Sequence, residues 1–378
     1  MIVQATPAEG EAIVRAMRTV ADAGGTEPLS AMDRRGLDAA WSTVFGLDHP
    51  VPIDELEPIT PDALARAVAD VGLRRLAVQL VTVMSFVDAV ADQAKLQQIL
   101  DLATALGVRG DFVTAIRHLT ENDVRWAGLD MLRANVASIP GMTWDADDPM
   151  GGFLPYRDGH DLPELADRYD ALGAKPAGTL GNAFFHHYRD NDFAFPGEPW
   201  GVVEAWGTPH DTLHLLSGYS TSAQGELLVA VFNGASLSRP DDLMESHVLP
   251  VIFTYHMGIE LNKGINKGDR ERMDRDPGWR DNFEGNVHLG LDPAKLWRSW
   301  ARASAMTTDL FSGHWDFWSV VDVGLDELRD RYDIEPLDPA DAALEDDQID
   351  RDQFVRPGRP LPELGTAKVA ERPTSSGA

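Results

Sequence analysis

Apolar residues recur along the first third of the chain at the spacing of a helix face. In "EAIVRAMRTVADA", Ile13, Val14, Met17 and Val20 share one side of a 3.6-residue period. "ITPDALARAVADVG" adds punctuation: Thr60 suits an N-cap, Pro61 the first helical position and Gly72 a stop. The runs "RRLAVQLVTVMSFVDAVAD", "AKLQQILDLATALGV" and "DFVTAIRHLTEND" continue in the same style. None alternates as a half-buried strand would, so residues 1–137 are predicted to form a small all-helical domain.

The period fails in "SIPGMTWDADDPMGGFLPYRDGHDLPE", which is rich in proline, glycine and acid, and a linker is predicted over 138–161. A second helical domain is predicted over 162–335. It opens with "LPELADRYDALGAKPAGTLGNAFFHHYRDN", where Gly178 and Gly181 bracket the start of an aromatic helix. It continues through "HDTLHLLSG", "LMESHVLPVIFTYHMGIEL", "PAKLWRSWARASAMTTDLF" and "DFWSVVDVGLDELRDRY". The short apolar run "ELLVAVF" fits a strand or a helix. Residues 336–378 turn acidic and Pro-rich, too polar to bury a core, and are predicted to be disordered. The expected fold is therefore all-α: two helical domains, a Pro/Gly-rich linker and a disordered acidic C-terminal tail.

Charge narrows the partners. The chain of 378 residues carries 61 acidic against 33 basic side chains, a formal charge of -28. Phosphate recognition needs clustered Lys and Arg, so a nucleic-acid partner is not expected, nor is docking on an anionic membrane through a polybasic patch. There is no cysteine, which removes disulfides, thiolate metal sites and cysteine nucleophiles; any metal must be held by nitrogen and oxygen. "MIVQATPAEGEAIVRAM" lacks the basic and apolar regions of a secretory signal. "LAVQLVTVMSFVDAVA", Leu76 to Ala91, is too short to span a bilayer and contains Gln79 and Asp88. A cytoplasmic protein is expected, with peripheral contact at the inner face of a membrane as an option.

The chemistry concentrates in "HDTLHLLSGYSTSAQGE", His210 to Glu226. On a helix, His210 and His214 share a face with Cβ atoms roughly 5–6 Å apart and can grip one cation. Pro209 stands where a helix often begins and Gly218 where one ends. "YSTSAQ" supplies a reversal that can return Glu226 to the histidines. Two imidazoles with one or two carboxylates suit Zn²⁺, and also Fe²⁺, Mn²⁺ or Co²⁺. In the metalloprotease motif HExxH a glutamate follows the first histidine and acts as base. The shorter Asp211 sits beside the ligand and can itself bind the ion, which argues against peptide hydrolysis. A bare H-x-x-x-H is common by chance on ordinary helices; Asp211 and the short return to Glu226 add the weight.

The same stretch matches HD-x2-H-x11-E and resembles the coenzyme Q (ubiquinone) biosynthesis protein four family. "PAGTLGNAF", "GYSTSAQGELLVAVF" and "KLWRSWARASAMTTDLFSGHWDFWSVVDVGLDELRDRYDI" resemble its flanking elements, so the likeness covers roughly Leu162 to Ile334. The resemblance implies an all-helical fold and a zinc-like divalent ion on His210, Asp211, His214 and Glu226. It also implies a hydrophobic cavity for an isoprenoid quinone precursor. The family is associated with removal of the ring carboxylate, with hydroxylation at the same carbon, and with organising other quinone enzymes. Members usually carry an arginine shortly before the HD pair; this chain has Gly207, Thr208 and Pro209. In the N-terminal part, "VMSFVDAVADQAKLQQILDLATALGV" resembles TerB-like helical domains without their glycine and downstream acid. Asp88 and Asp92 are therefore read as solvent-facing acids.

Two functions follow as expectations: a metal-dependent, oxidative decarboxylase acting on a prenylated aromatic acid, or a non-catalytic lipid-binding scaffold with a structural metal. Expected partners are an apolar isoprenoid or aromatic small molecule, with other biosynthetic enzymes and a homodimer as further options. The remaining candidates weigh less. Of His186 and His187, one reads as a satisfied core histidine and the other as its solvated neighbour, with a supporting role near the metal as the alternative. His247 and His256 could face the same cavity. Trp297, Trp300, Trp315 and Trp318 read as core. The run from Asp269 to Arg280 reads as a solvated loop or a lid.

Overall fold

The computed structural model describes residues 3–48, 52–87, 92–121, 124–139, 141–145, 147–148, 151–157, 159–237, 248–256 and 292–342. Among the described residues there is no β-strand; the nearest approach is an isolated bridge between Thr179 and Gly324. The all-α expectation holds.

In the N-terminal half, α1 (Pro7–Ala21) packs on α4 (Val71–Ser85). Ile13, Val14, Met17 and Val20 meet a core that includes Val78, Val81 and Met84. Helix α2 (Ala31–Ala39) runs into a π-turn over Ala40–Val44. α3 (Pro61–Ala67), α5 (Gln93–Leu106), α6 (Asp111–Thr120) and α7 (Val124–Ser138) complete this half. Thr60 caps α3 and Pro61 takes its first position, as read from the sequence. Gly72 is not a stop. The helix breaks earlier, at the extended Val68, and Asp70 restarts it by accepting the Leu73 N–H at 2.8 Å, so Gly72 lies in the first turn of α4. An N-cap side chain outweighs the mild helix penalty of one glycine. Asp92 also caps, accepting the Ala94 N–H at 2.7 Å at the start of α5. Asp88 lies outside the described residues.

In the stretch expected as a linker, Phe153, Leu154 and Tyr156 are buried. Its carbonyls meet the chain that leads into the site helix: Val203 N donates to Phe153 O at 2.8 Å and Trp200 N to Tyr156 O at 3.3 Å. Among the described residues, the second half contains the helices α8 (Pro163–Asp170), α9 (Leu180–Asp190), α10 (Glu204–Ser217), α11 (Ala223–Ser236), α12 (Leu249–His256), α13 (Pro293–Ala303), α14 (Leu325–Tyr332) and α15 (Pro339–Ala342). "ELLVAVF" is helix, inside α11.

The two halves touch. α12 packs on α7, and α13 packs on both α2 and α11. Trp297 Nε1 donates to Gly36 O at 3.1 Å, and Arg35 pairs with Asp292 at 3.2 Å. The approach depends on Gly36, where a Cβ would stand 2.2 Å from Pro293 Cγ, in a ring that cannot swing aside. Gly36→Ala is therefore expected to lower stability by about 1–3 kcal/mol through overpacking; a denaturant melt with an unshifted midpoint would contradict this contact.

Trp297 and Trp300 are buried, as expected of core. The predicted tail begins with packed residues: Arg298 Nε donates to Asp341 Oδ2 at 2.9 Å. Residues 343–378, His247 and the run from Asp269 to Arg280 lie outside the described residues, as does the side chain of His256.

Candidate metal centre

The site rests on α9, α10 and the start of α11. α10 begins at Glu204, so Pro209 lies inside the helix and does not open it. The sequence misplaces the start because the N-cap, Val203, has no capping side chain to announce it. The C-terminus is where expected: Gly218 adopts φ 85° and its N–H returns to His214 O at 2.9 Å. The last carbonyls of α10 are taken by arginines from distant helices. Arg329 donates to Leu215 O and Leu216 O at 2.8 and 2.9 Å, and Arg302 to Ser217 O at 2.8 Å. Cations at a helix C-terminus are favoured by its dipole, and here they also hold the turn that follows.

That turn fixes His214. Its Nδ1 lies 3.1 Å from Tyr219 O. A carbonyl can only accept, so Nδ1 carries the proton and neutral His214 presents the Nε2 lone pair. This is the arrangement that orients metal-ligating histidines elsewhere. His214 Nε2 lies 3.2 Å from His210 Nε2. The His210 ring is stacked on Trp206, one turn earlier, with centroids 4.4 Å apart.

Glu226 returns as the spacing suggests. Ser222 caps α11 by accepting the Gly225 N–H at 3.1 Å, and Glu226 in the first turn reaches both imidazoles. Its Oε2 is 3.3 Å from His210 Nε2 and 3.5 Å from His214 Nε2. The ligand atoms of His210, Asp211 and His214 lie within 4.8 Å of one another. Both histidines are buried, and Asp211 and Glu226 are nearly so, with side chains 14% and 13% exposed.

Electrostatics reflect the crowding. Burial pushes the Glu226 carboxyl up, but His214 and His210 outweigh it and drive the group well below the usual carboxylate range. Burial pulls His214 down, yet the Glu226 charge raises it to about 9. Asp211 is likewise opposed by burial and held low by His187, His210 and His214. A divalent cation among these groups would compete with the histidine proton for the same lone pair.

Of the residues that hold Asp211, sequence reading misses Tyr188 and offers His187 only as the alternative of a supporting role near the metal. Tyr188 OH donates to Asp211 Oδ2 at 2.5 Å, and His187 Nε2 lies 3.5 Å from Asp211 Oδ1, both from α9. Burial and the Asp211 charge raise the Tyr188 hydroxyl well above its ordinary value, so it stays a donor. The signal was present: Leu180, Phe184, His187 and Tyr188 fall on one helical stripe, which points His187 inward and leaves His186 57% exposed. Beneath α9 and α10, Tyr169 packs against Phe184, Phe195, Phe317 and Trp318. Its hydroxyl donates to Glu204 at 2.8 Å and meets Thr208 Oγ1 at 2.6 Å. This aromatic floor sets the position of α10.

The fold and the site together define an all-helical protein with a buried two-histidine, one-aspartate cluster able to bind a divalent metal ion. Among the described residues, no helix is long and apolar enough to cross a membrane. Comparison with family models, with curated proteins and with solved structures found no match.

Proposed function

We propose that this is a metal-dependent protein of quinone biosynthesis acting on a prenylated or otherwise apolar aromatic acid. His210, Asp211, His214 and Glu226 would hold the ion, zinc first, with iron, manganese or cobalt compatible with the same donors. The observation that carries this is the convergence of two buried imidazoles with Asp211 and Glu226 from a second helix. The quinone assignment draws on the resemblance of His210 to Glu226 and its flanks to the coenzyme Q biosynthesis protein four family. An ion bound there would polarise the substrate carboxylate or the neighbouring phenolate and stabilise the charge that develops as CO₂ leaves. The protein's own part is to exclude water with Trp206 and the aromatic floor, and to fix Asp211 through Tyr188.

The test is turnover. Metal-loaded protein, given a carboxyl-labelled prenylated hydroxybenzoate with dioxygen and a two-electron reductant to take the second oxygen atom to water, is expected to release labelled CO₂, and Asp211→Asn to lose that release. Four protein donors also match a closed tetrahedral structural site, which favours the second reading: a lipid-binding scaffold whose N-terminal helices recruit partners. A metal-replete protein that co-purifies with a prenyl lipid, yet releases no CO₂, would select the scaffold.

A further inference from the structure

We propose that residues 335–342 form a strap that sets the ion affinity of the metal centre by holding Arg302 in place. The inference rests on the reading of His210, Asp211, His214 and Glu226 as ion ligands and adds a device that controls them.

Arg302 ties the two ligand-bearing helices together. It is buried on α13, and its Nη2 donates both to Ser217 O, at the end of α10, at 2.8 Å and to Glu335 O at 2.6 Å. Its guanidinium lies over two rings, 5.1 Å from the centroid of Tyr219 and 5.4 Å from that of Phe232. Tyr219 orients His214 through its carbonyl, and Phe232 stands on α11, the helix that carries Glu226. Among the described residues Arg302 has no carboxylate partner. Carbonyls and ring faces offset the cost of burying its charge, so losing one of them is felt by the rest.

Lys295, Arg298 and Arg302 fall at i, i+3 and i+7 on α13, a single helical stripe. Residues 335–342 run along it. Lys295 Nζ donates to Asp341 O at 3.3 Å, and Arg298 grips the Asp341 carboxylate with Nε at 2.9 Å and Nη2 at 2.5 Å. A two-pronged arginine–carboxylate pair is among the stronger hydrogen-bonded contacts. Between this anchor and Glu335, Leu337 packs on the core beside Gly218, where a Cβ would stand 3.2 Å from Leu337 Cβ. Gly218 is the left-handed residue that ends α10 and leads to Tyr219. The strap therefore touches the turn that orients His214 twice: directly through Leu337, and through Arg302 at Ser217 and Tyr219. Releasing it takes one of two carbonyl acceptors from Arg302 and uncovers Gly218, and the Tyr219 carbonyl is no longer held on His214.

The test uses the full-length protein with Co²⁺ as the probe ion. Asp341→Arg places like charges against Arg298. It is expected to speed amide exchange over residues 335–342 and to lower Co²⁺ affinity by about 10–100-fold, the range for losing a group that only orients a ligand. Glu335→Gln, which keeps the carbonyl used by Arg302, is expected to bind Co²⁺ as wild type does. Coupling between two sites is reciprocal, so the wild-type protein gives a second measurement that needs no variant to fold. There, Co²⁺ is expected to slow amide exchange over residues 335–342 by a similar factor. Exchange that is the same with and without bound Co²⁺ would overturn the proposal while leaving the metal centre intact. So would an Asp341→Arg protein with a released strap and wild-type affinity. Wild-type protein that takes up no Co²⁺ would overturn the metal centre itself and this inference with it.

Discussion

Replacing His214 with alanine is expected to abolish stoichiometric loading with a divalent ion. His214 is buried, its Nδ1 is committed to Tyr219 O, and its Nε2 stands within 3.5 Å of both His210 and Glu226. Removing it takes away the donor at the centre of the cluster and leaves Glu226 with His210 alone. Two effects should separate in measurement. In chelator, the variant loses the His214–Glu226 pairing; removing one partner of a buried pair costs about 3–5 kcal/mol. With Zn²⁺ added, wild type gains stability by mass action, roughly 4 kcal/mol when the free ion exceeds its dissociation constant a thousandfold. The variant gains nothing. His186→Ala, at an exposed position on the same helix as His187, should behave as wild type in both conditions. Elemental analysis and thermal melts with and without chelator decide it. Full metal occupancy in His214→Ala would remove the metal centre as described.

Much of this site was legible because it is local. His210, Asp211, His214 and Glu226 lie within one helix, one turn and the next helix, so spacing alone brings them near. The same locality makes the helices of the first half readable from their apolar stripes. What spacing could not supply is set by contacts between distant segments. Tyr188 and His187 reach Asp211 because α9 packs beside α10 over the aromatic floor around Tyr169. Arg302 and Arg329 hold the end of α10 from positions far along the chain. Trp297 seats on Gly36 across 261 residues, a contact that no periodicity encodes. The errors have a common source as well. Gly72 and Pro209 look like punctuation by residue type, but Asp70 restarts one helix and the other begins earlier, at Glu204. Capping hydrogen bonds and packing decide helix limits, and single-residue propensities yield to them.

Gly225→Ala is expected to damage the centre as severely as a ligand substitution, although Gly225 binds nothing. A Cβ at this position would stand 2.0 Å from Ser220 O, 2.6 Å from its carbonyl carbon and 2.8 Å from its Oγ. The first two are backbone atoms, which cannot rotate away as a flexible side-chain end would. Gly225 is not among the glycines of positive φ, so the cost is steric rather than conformational. Relief requires the turn after Gly218 to move off the first turn of α11. That turn contains Tyr219, whose carbonyl orients His214, while the residue after Gly225 is Glu226. Separating the two segments therefore misaligns both a histidine and its carboxylate. The stability loss is expected at or above about 3 kcal/mol, the upper end for overpacking. Ion affinity should fall by more than about 10-fold, as when a group supporting a ligand is lost. Melts in chelator measure the first effect and Zn²⁺ titration the second. A Gly225→Ala protein with a wild-type melt and wild-type affinity would mean that the reversal between His214 and Glu226 does not position the metal centre.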